Sequence, residues 1–287
     1  MSGLDHGSPA SAPDGLPARA PAYASTTAPA RSRASAASAL YAILYREGKI
    51  RATNLTFIFW DLFYPLGYLL VFGVGMTHAM GFTLPDMEVD YNSFFLAGVL
   101  GMASFGIASN TAWGFFMDRD NGIFYEMLTY PMTRSLYLVG KVLFNLAIAV
   151  LQAAVTIAFA SLFLDLELTV ARLPLFVAAV LVGTAGWFYF YAIFALWIKR
   201  NDAFNTLTSI FYFGFLFASS MFYPVAPLPT PFRQIAWANP ITWHVDVLRY
   251  ATVGIGDPGT IAIECVAFTI FTLATFAGAI FVLQRQE

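Results

Sequence analysis

Few side chains in this sequence can do chemistry, and one stretch inside the apolar part of the chain collects six of the charged ones. Between Met117 and Lys141 the run MDRDNGIFYEMLTYPMTRSLYLVGK sets Asp118, Arg119, Asp120, Glu126, Arg134 and Lys141 among apolar neighbours. Acids and bases this close form ion pairs and dock partners; with no nucleophile beside a base they make no catalytic site. Asn121-Gly122 is a turn signal. After it Ile123, Phe124, Met127 and Leu128 recur at helical spacing, with Glu126 and Thr129 off the stripe. That pattern predicts a short amphipathic helix at a membrane surface. Pro131 stops it, having no amide hydrogen and restricting Tyr130 before it. Thr133 is placed to cap the next helix. A helix of this kind either closes a loop or passes force from a cytoplasmic motor to the membrane helices.

Two acids, Asp61 and Glu264, stand in apolar surroundings. Ionisable residues inside a membrane are costly and mark pathways, although both of these also lie within reach of an interface. Asp61 sits beside Trp60 and Phe63, and with Tyr212 these are expected to line a translocation path. Asp246 and Arg249, three apart, can pair on one helix face. No metal centre is expected: His6, His78 and His244 are far apart, and the single cysteine, Cys265, excludes an internal disulfide or a cysteine cluster. No G-x-x-x-x-G-K-[ST] occurs, since Gly48-Lys49 and Gly140-Lys141 run on into Ile50 and Val142. The chain therefore has no such loop to cradle nucleotide phosphates. No Ser/His/Asp set or carboxylate pair can be assembled either, so neither a catalytic site nor a cofactor of the chain's own is expected.

The elements that must position these residues are membrane helices. Of 287 residues, 59% are hydrophobic and 11% charged, where a soluble domain carries roughly 25% charged residues. Mean hydropathy is +0.66. No basic run points to nucleic acid. Residues 1–38 are rich in Ala, Ser and Pro without a periodic apolar face, and are expected to form a disordered cytoplasmic tail. No apolar core follows a basic start there, so it does not read as a secretory signal. Residues 39–287 are expected to form one all-α membrane domain. Its first piece, 39–51, sets Leu40, Ile43, Leu44 and Ile50 against Arg46, Glu47, Lys49 and Arg51, a second amphipathic surface helix. A span needs about 20 mostly apolar residues. Six segments qualify: 55–77, 93–116, 135–164, 173–198, 205–223 and 260–283. The third is long enough to tilt or project from the membrane. Residues 224–258, punctuated by Pro224, Pro229, Asn239 and Pro240, are too apolar for a solvated loop. They predict two short helices that dip into the bilayer and return.

Basic residues set the orientation. With the N-terminus inside, twelve of the fifteen lysines and arginines fall on inner segments, and only Arg172, Arg233 and Arg249 on outer ones. Both termini and the 117–141 stretch are then cytoplasmic. Gly98, Gly101, Ala103, Gly106, Gly183 and Gly186 are small enough to permit close helix contact.

These pieces resemble the membrane subunit of type 2 ABC exporters. Glu126 to Lys141, EMLTYPMTRSLYLVGK, is similar to the family's inner segment, where a carboxylate, a proline-small-Arg turn and a Gly-Lys pair recur. MFYPVAPLP at 221–229, followed by NPITWHVDVLR at 239–249, is similar to its outer loop, with F-P…L-P, N-P-x-T and D-x-x-R. The likeness covers residues 39–283; it departs at Ile123-Phe124-Tyr125, where a Gly-Thr-Leu-like run is common. It implies a half-transporter of the bacterial inner membrane that pairs with a second copy of itself, a homodimer, over two separate ATP-binding-cassette subunits. Those subunits would bind the ATP and Mg. Asp118, Arg119, Phe124, Glu126, Met127, Pro131, Arg134 and Lys141 would couple to them. Pro224, Pro229, Asn239, Pro240, Asp246 and Arg249 would gate the far side. Family substrates include lipid-linked polysaccharides, lipo-oligosaccharides and hydrophobic drugs, and the aromatic helices favour the glycan classes. The residues alone also leave open an ion-coupled carrier using Asp61 and Glu264.

Overall fold

The computed structural model describes residues 35–75, 90–130, 132–163 and 170–285. Pro131, His6, His78 and the tail up to residue 34 lie outside them. Every described element is a helix. The leading helix α1, Ala36–Thr53, starts three residues before the expected position. Ser35 caps it, its hydroxyl accepting the Ser38 amide at 3.2 Å. Its buried face is Ala39, Ile43 and Glu47, one residue per turn. Glu47, expected on the wet side, is thus turned inward, for reasons given below.

Helix α2, residues 55–74, alternates α turns with π turns at Phe59–Phe63 and Leu69–Val74. Pro65 explains the first: it cannot donate to the Asp61 carbonyl, and the Tyr64 amide reaches back five residues to Phe59. Helix α3, Tyr91–Asp120, is the hub. Its most apolar window is 83% buried, against 44% or less in the other four long apolar helices. It packs on α5 (Arg134–Phe163), α6 (Leu173–Trp197) and α9 (Pro240–Val253). Between α3 and α5, Asn121-Gly122 makes the expected turn, with Gly122 left-handed at φ 77°. The amphipathic helix that follows, α4, is only Ile123–Met127. Asp118 and Arg119 belong instead to the last turn of α3. The Thr133 hydroxyl accepts the Leu136 amide at 3.1 Å and opens α5, as anticipated.

Helix α7 departs from expectation. It runs Asn201–Phe217, four residues earlier at the start and six shorter at the end than the 205–223 segment. Asn239 supplies the reason. Its side-chain amide donates to the carbonyls of Phe215 at 2.8 Å and Ala218 at 2.7 Å. The helix end is satisfied there from outside and the chain turns away. At 17 residues α7 is about 25 Å long, short for a bilayer core. Five helices, α2, α3, α5, α6 and α10 (Pro258–Gln284), are long and apolar enough to cross a membrane. Two short helices follow α7, namely α8, Thr230–Ala238, and α9, which join at Asn239.

Glycines set the closest approaches. A Cβ on Gly98 would lie 2.4 Å from the Met221 carbonyl oxygen, and one on Gly101 2.5 Å from Val245. Gly183 accommodates the ring of His244, whose Nε2 donates to the Ala179 carbonyl at 3.2 Å. His244 is therefore a buried packing residue. Gly140, noted in the sequence for its Gly-Lys pair and not as a contact residue, brings α5 against Ile43 of α1. Gly106 has open space instead. Gly98→Ala is expected to cost about 1–3 kcal/mol by overpacking against a backbone atom that cannot yield. Gly106→Ala on the same helix should leave the thermal midpoint in detergent unchanged; equal midpoints for the two would refute the close contact.

Candidate functional site

Three helices carry a charged knot at one end of the bundle. Asp118, in the last turn of α3, accepts from Arg46 Nη2 at 2.6 Å, Lys141 Nζ at 2.7 Å and the Tyr137 hydroxyl at 2.6 Å. Glu47 takes Arg46 at 2.8 Å and Lys141 at 3.0 Å. Two acids thus share two bases, and every charge has at least two partners. Lys141 is 3% exposed, Asp118 7% and Glu47 9%. Charges this buried survive only when paired and hydrogen-bonded. Burial opposes the charge on Arg46, yet the hydrogen bond and charge of Asp118 outweigh it and hold the guanidinium above its ordinary value. Beside Asp118, Arg119 donates to the last carbonyls of α6, Leu196 at 2.6 Å and Ile198.

Of the residues expected to couple, Asp118, Arg119 and Lys141 therefore face inward. Phe124 is fully buried, its ring against Phe115 and Tyr137. Met127 and Arg134 are half-buried, and Arg134 reaches the Leu283 carbonyl of α10 at 3.5 Å. Glu126 is exposed, with Tyr125 and Tyr130 at 44% and 60%. Inward residues anchor this segment, and Tyr125, Glu126 and Tyr130 are what it offers outward. The knot's other members, Arg46, Glu47 and Tyr137, were not singled out as site residues. A trace existed for Glu47, which shares the four-residue spacing of Ala39 and Ile43.

Further along, Arg51 pairs with Asp61 at 2.7 Å and donates to Asn145 at 3.2 Å, while Asn110 donates to Asp61 at 3.5 Å. This ties α1, α2, α3 and α5 together. Asp61 borders a recess of about 230 Å³ lined also by Trp60, Tyr64, Asn110, Thr208 and Tyr212. Three of the four expected path residues thus meet. Phe63 does not: it is 59% exposed and stacks on Phe59. Asn110 and Thr208 gave no signal in sequence, being ordinary polar residues inside apolar runs.

At the α7–α10 connection the expected Asp246–Arg249 pair forms. Arg249 also donates to the carbonyls of Ser220 at 2.7 Å and Phe94 at 3.3 Å, and the Ser220 hydroxyl donates to Asp246 at 2.7 Å. With Asn239, which also caps α9 through the Ile241 amide at 3.0 Å, these groups pin the two short helices to α3 and α7. Pro224 is half-buried, Pro229 precedes α8 as its cap and is exposed, and Pro240 occupies the first turn of α9. Among the described residues no group of three His, Cys, Asp or Glu could hold a metal ion.

Asp118→Ala leaves Arg46 and Lys141 sharing one carboxylate inside the protein. A loss of about 3–5 kcal/mol is expected, read as a lower thermal midpoint in detergent. Glu126→Ala, on the exposed side, should leave that midpoint in place.

Residues 38–253 match the model of the ABC-2 type transporter family. The chain is also similar to proteins named transport permease ycf38. It is 26% identical to that of Porphyra purpurea over 188 residues, 65% of this chain and 64% of that protein. It is 25% identical to that of Pyropia yezoensis over 217 residues, 72% and 74% of the two. The matches thus span about two thirds to three quarters of those relatives. The family match runs from α1, through the charged knot and the five long apolar helices' first four, to the end of α9, and on that ground the chain belongs to the ABC-2 type transporter family, as a multi-pass membrane transport component.

Proposed function

We propose that this chain is the membrane half of an ATP-driven exporter, working as a homodimer above two ATP-binding-cassette subunits that hold the ATP and Mg. One observation carries the reading: α4 is a five-residue helix with an exposed acid, Glu126, and an exposed tyrosine, Tyr125, outside and a fully buried phenylalanine inside. A push on such a helix passes through Phe124 into Phe115 of α3 and Tyr137 of α5. Through the Asp118 knot it reaches α1 as well. Rigidly joined elements that move together are what a motor needs in order to switch a transporter between two states. In this reading α7 crosses the bilayer as a sixth span, α8 and α9 dip into the outer leaflet, and both termini lie in the cytoplasm of a bacterial inner membrane. The basic-residue asymmetry supports that orientation.

The cargo is an amphipathic or lipid-linked molecule, a glycan or lipo-oligosaccharide. Support comes from the recess at Asp61, where hydroxyl, amide and carboxylate groups sit beside Trp60 and Tyr212, a mixture suited to polyhydroxylated rings. Two copies would also cover the outward aromatic faces of α2 and α7, where Phe59, Phe63, Phe213 and Phe217 are all more than half exposed. Hydrophobic drug efflux is the variant with the same machinery. An ion-coupled carrier using Asp61 is favoured less, because Asp61 is held by Arg51 and Asn110 and is not free to exchange an ion.

Co-expression with neighbouring genes and purification in detergent should bring down an ATPase subunit in equal amount. In that complex Glu126→Ala and Arg134→Ala are expected to keep insertion and assembly but to lose most of the coupling between ATP hydrolysis and export. Full export by both variants, or export that survives without the ATPase and collapses with the ion gradient, would sink the proposal.

A further inference from the structure

Glu264 lies in the second turn of α10 and takes no part in anything described above. It is 8% exposed, and its Oε2 has no hydrogen-bond partner among the described residues. It lines a recess of about 220 Å³ formed by the segment after α7, by α9 and by the start of α10. Asp246, Arg249 and Asp257 line the same recess. The guanidinium is already engaged, by Asp246, by the Ser220 and Phe94 carbonyls, and by the Phe94 ring 3.9 Å away. Asp257 caps α10 through the Thr260 amide at 2.8 Å. That amide and the Thr260 hydroxyl hold its carboxyl below its ordinary value, so it stays charged. Asp246 and Arg249 are both within electrostatic reach of Glu264. Two acids, Asp246 and Glu264, thus share one base inside the recess, with Asp257 exposed at its rim, and Glu264 has an idle oxygen. Such a group is costly to keep without a partner.

The shortfall is one positive charge with hydrogens to donate. A hard metal ion needs six or more oxygen ligands, and no group of three ligating side chains is available among the described residues. An ammonium group presents three donors on one compact charge. Apolar walls at Phe94, Val225 and Ile261 thin out the water and strengthen any ion pair formed there. They also suit the carbon that an organic amine carries and a metal lacks. We propose that this recess binds a primary ammonium group, with Glu264 as its counter-ion and Asp257 at its rim. The group has the same chemistry on a small soluble amine and on an ethanolamine lipid headgroup. Its binding does not depend on the transport reading.

The test uses the full chain in nanodiscs of phosphatidylglycerol, titrated with ethanolamine at neutral pH and low salt, with the thermal midpoint as readout. Wild type should show a saturable rise of a few degrees that uncharged N-acetylethanolamine does not reproduce and Glu264→Gln abolishes. In phosphatidylethanolamine nanodiscs, a wild-type midpoint already above that of Glu264→Gln and indifferent to added ethanolamine assigns the site to lipid. A response that persists there assigns it to the soluble amine. No rise in either lipid, or the same rise in Glu264→Gln, overturns the proposal. If Glu264→Gln does not insert, Asp257→Asn serves, since asparagine keeps the helix cap. Loss of that rim charge should weaken ethanolamine binding about threefold at low salt, and an unchanged titration midpoint would equally overturn it.

Discussion

The arrangement of this chain depends on the ion pairs around Asp118. An apolar bundle offers no water to a lysine at 3% exposure, so Lys141 can occupy α5 only where acids meet it. Asp118 from α3 and Glu47 from α1 do so, and Arg46 and Tyr137 complete their shells. Each helix is thereby fixed in rotation as well as in position, since a turn of α1 by one residue would withdraw Glu47. Arg51 and Asp61 repeat the device along α1 and α2. A helix that composition alone would lay on the membrane surface is thus bolted to the hub.

The same rule governs the opposite connection. Backbone carbonyls at the end of α7 and in the segment after it are met by side chains: Asn239 on Phe215 and Ala218, Arg249 on Ser220. Irregular backbone is tolerated in an apolar setting only when such partners exist. That is why Asn239 and Arg249 matter more here than the prolines around them. The prolines stop helices, whereas the asparagine and arginine decide where the stopped chain goes.

The two clusters of charged residues differ in one respect. At the Asp118 knot acids and bases are matched and mutually satisfied, which makes a stiff joint. At the α9–α10 recess the acids outnumber the base and Glu264 keeps a vacant acceptor. A matched set satisfies itself, while an unmatched set leaves an acceptor open.

Much of this was legible in the sequence. Composition gave the membrane class, the Asn121-Gly122 turn and Thr133 cap gave the α3–α5 connection, and three-residue spacing gave the Asp246–Arg249 pair, because each rests on local chemistry. Motif likeness at 126–141 and 221–249 gave the family. What local chemistry could not give was which way a polar residue points. Asp118, Arg119 and Lys141 read as a charged docking surface, and only packing turned them inward, since their partners lie far away along the chain, 72 residues for Asp118 and Arg46 and 79 for Arg119 and Ile198. Phe63 read as part of the same path as Trp60, yet Trp60 lines the recess while Phe63 stacks on Phe59 and stays 59% exposed. The end of α7 was misplaced for the same reason: the hydrophobic run continues to Tyr223, but Asn239 takes up the carbonyls of Phe215 and Ala218, 24 and 21 residues before it, that end the helix. Sequence by itself determined which segments are apolar and which turns are sharp. Tertiary structure decided which charges meet, because ion pairing between helices depends on distances that no spacing along one helix contains.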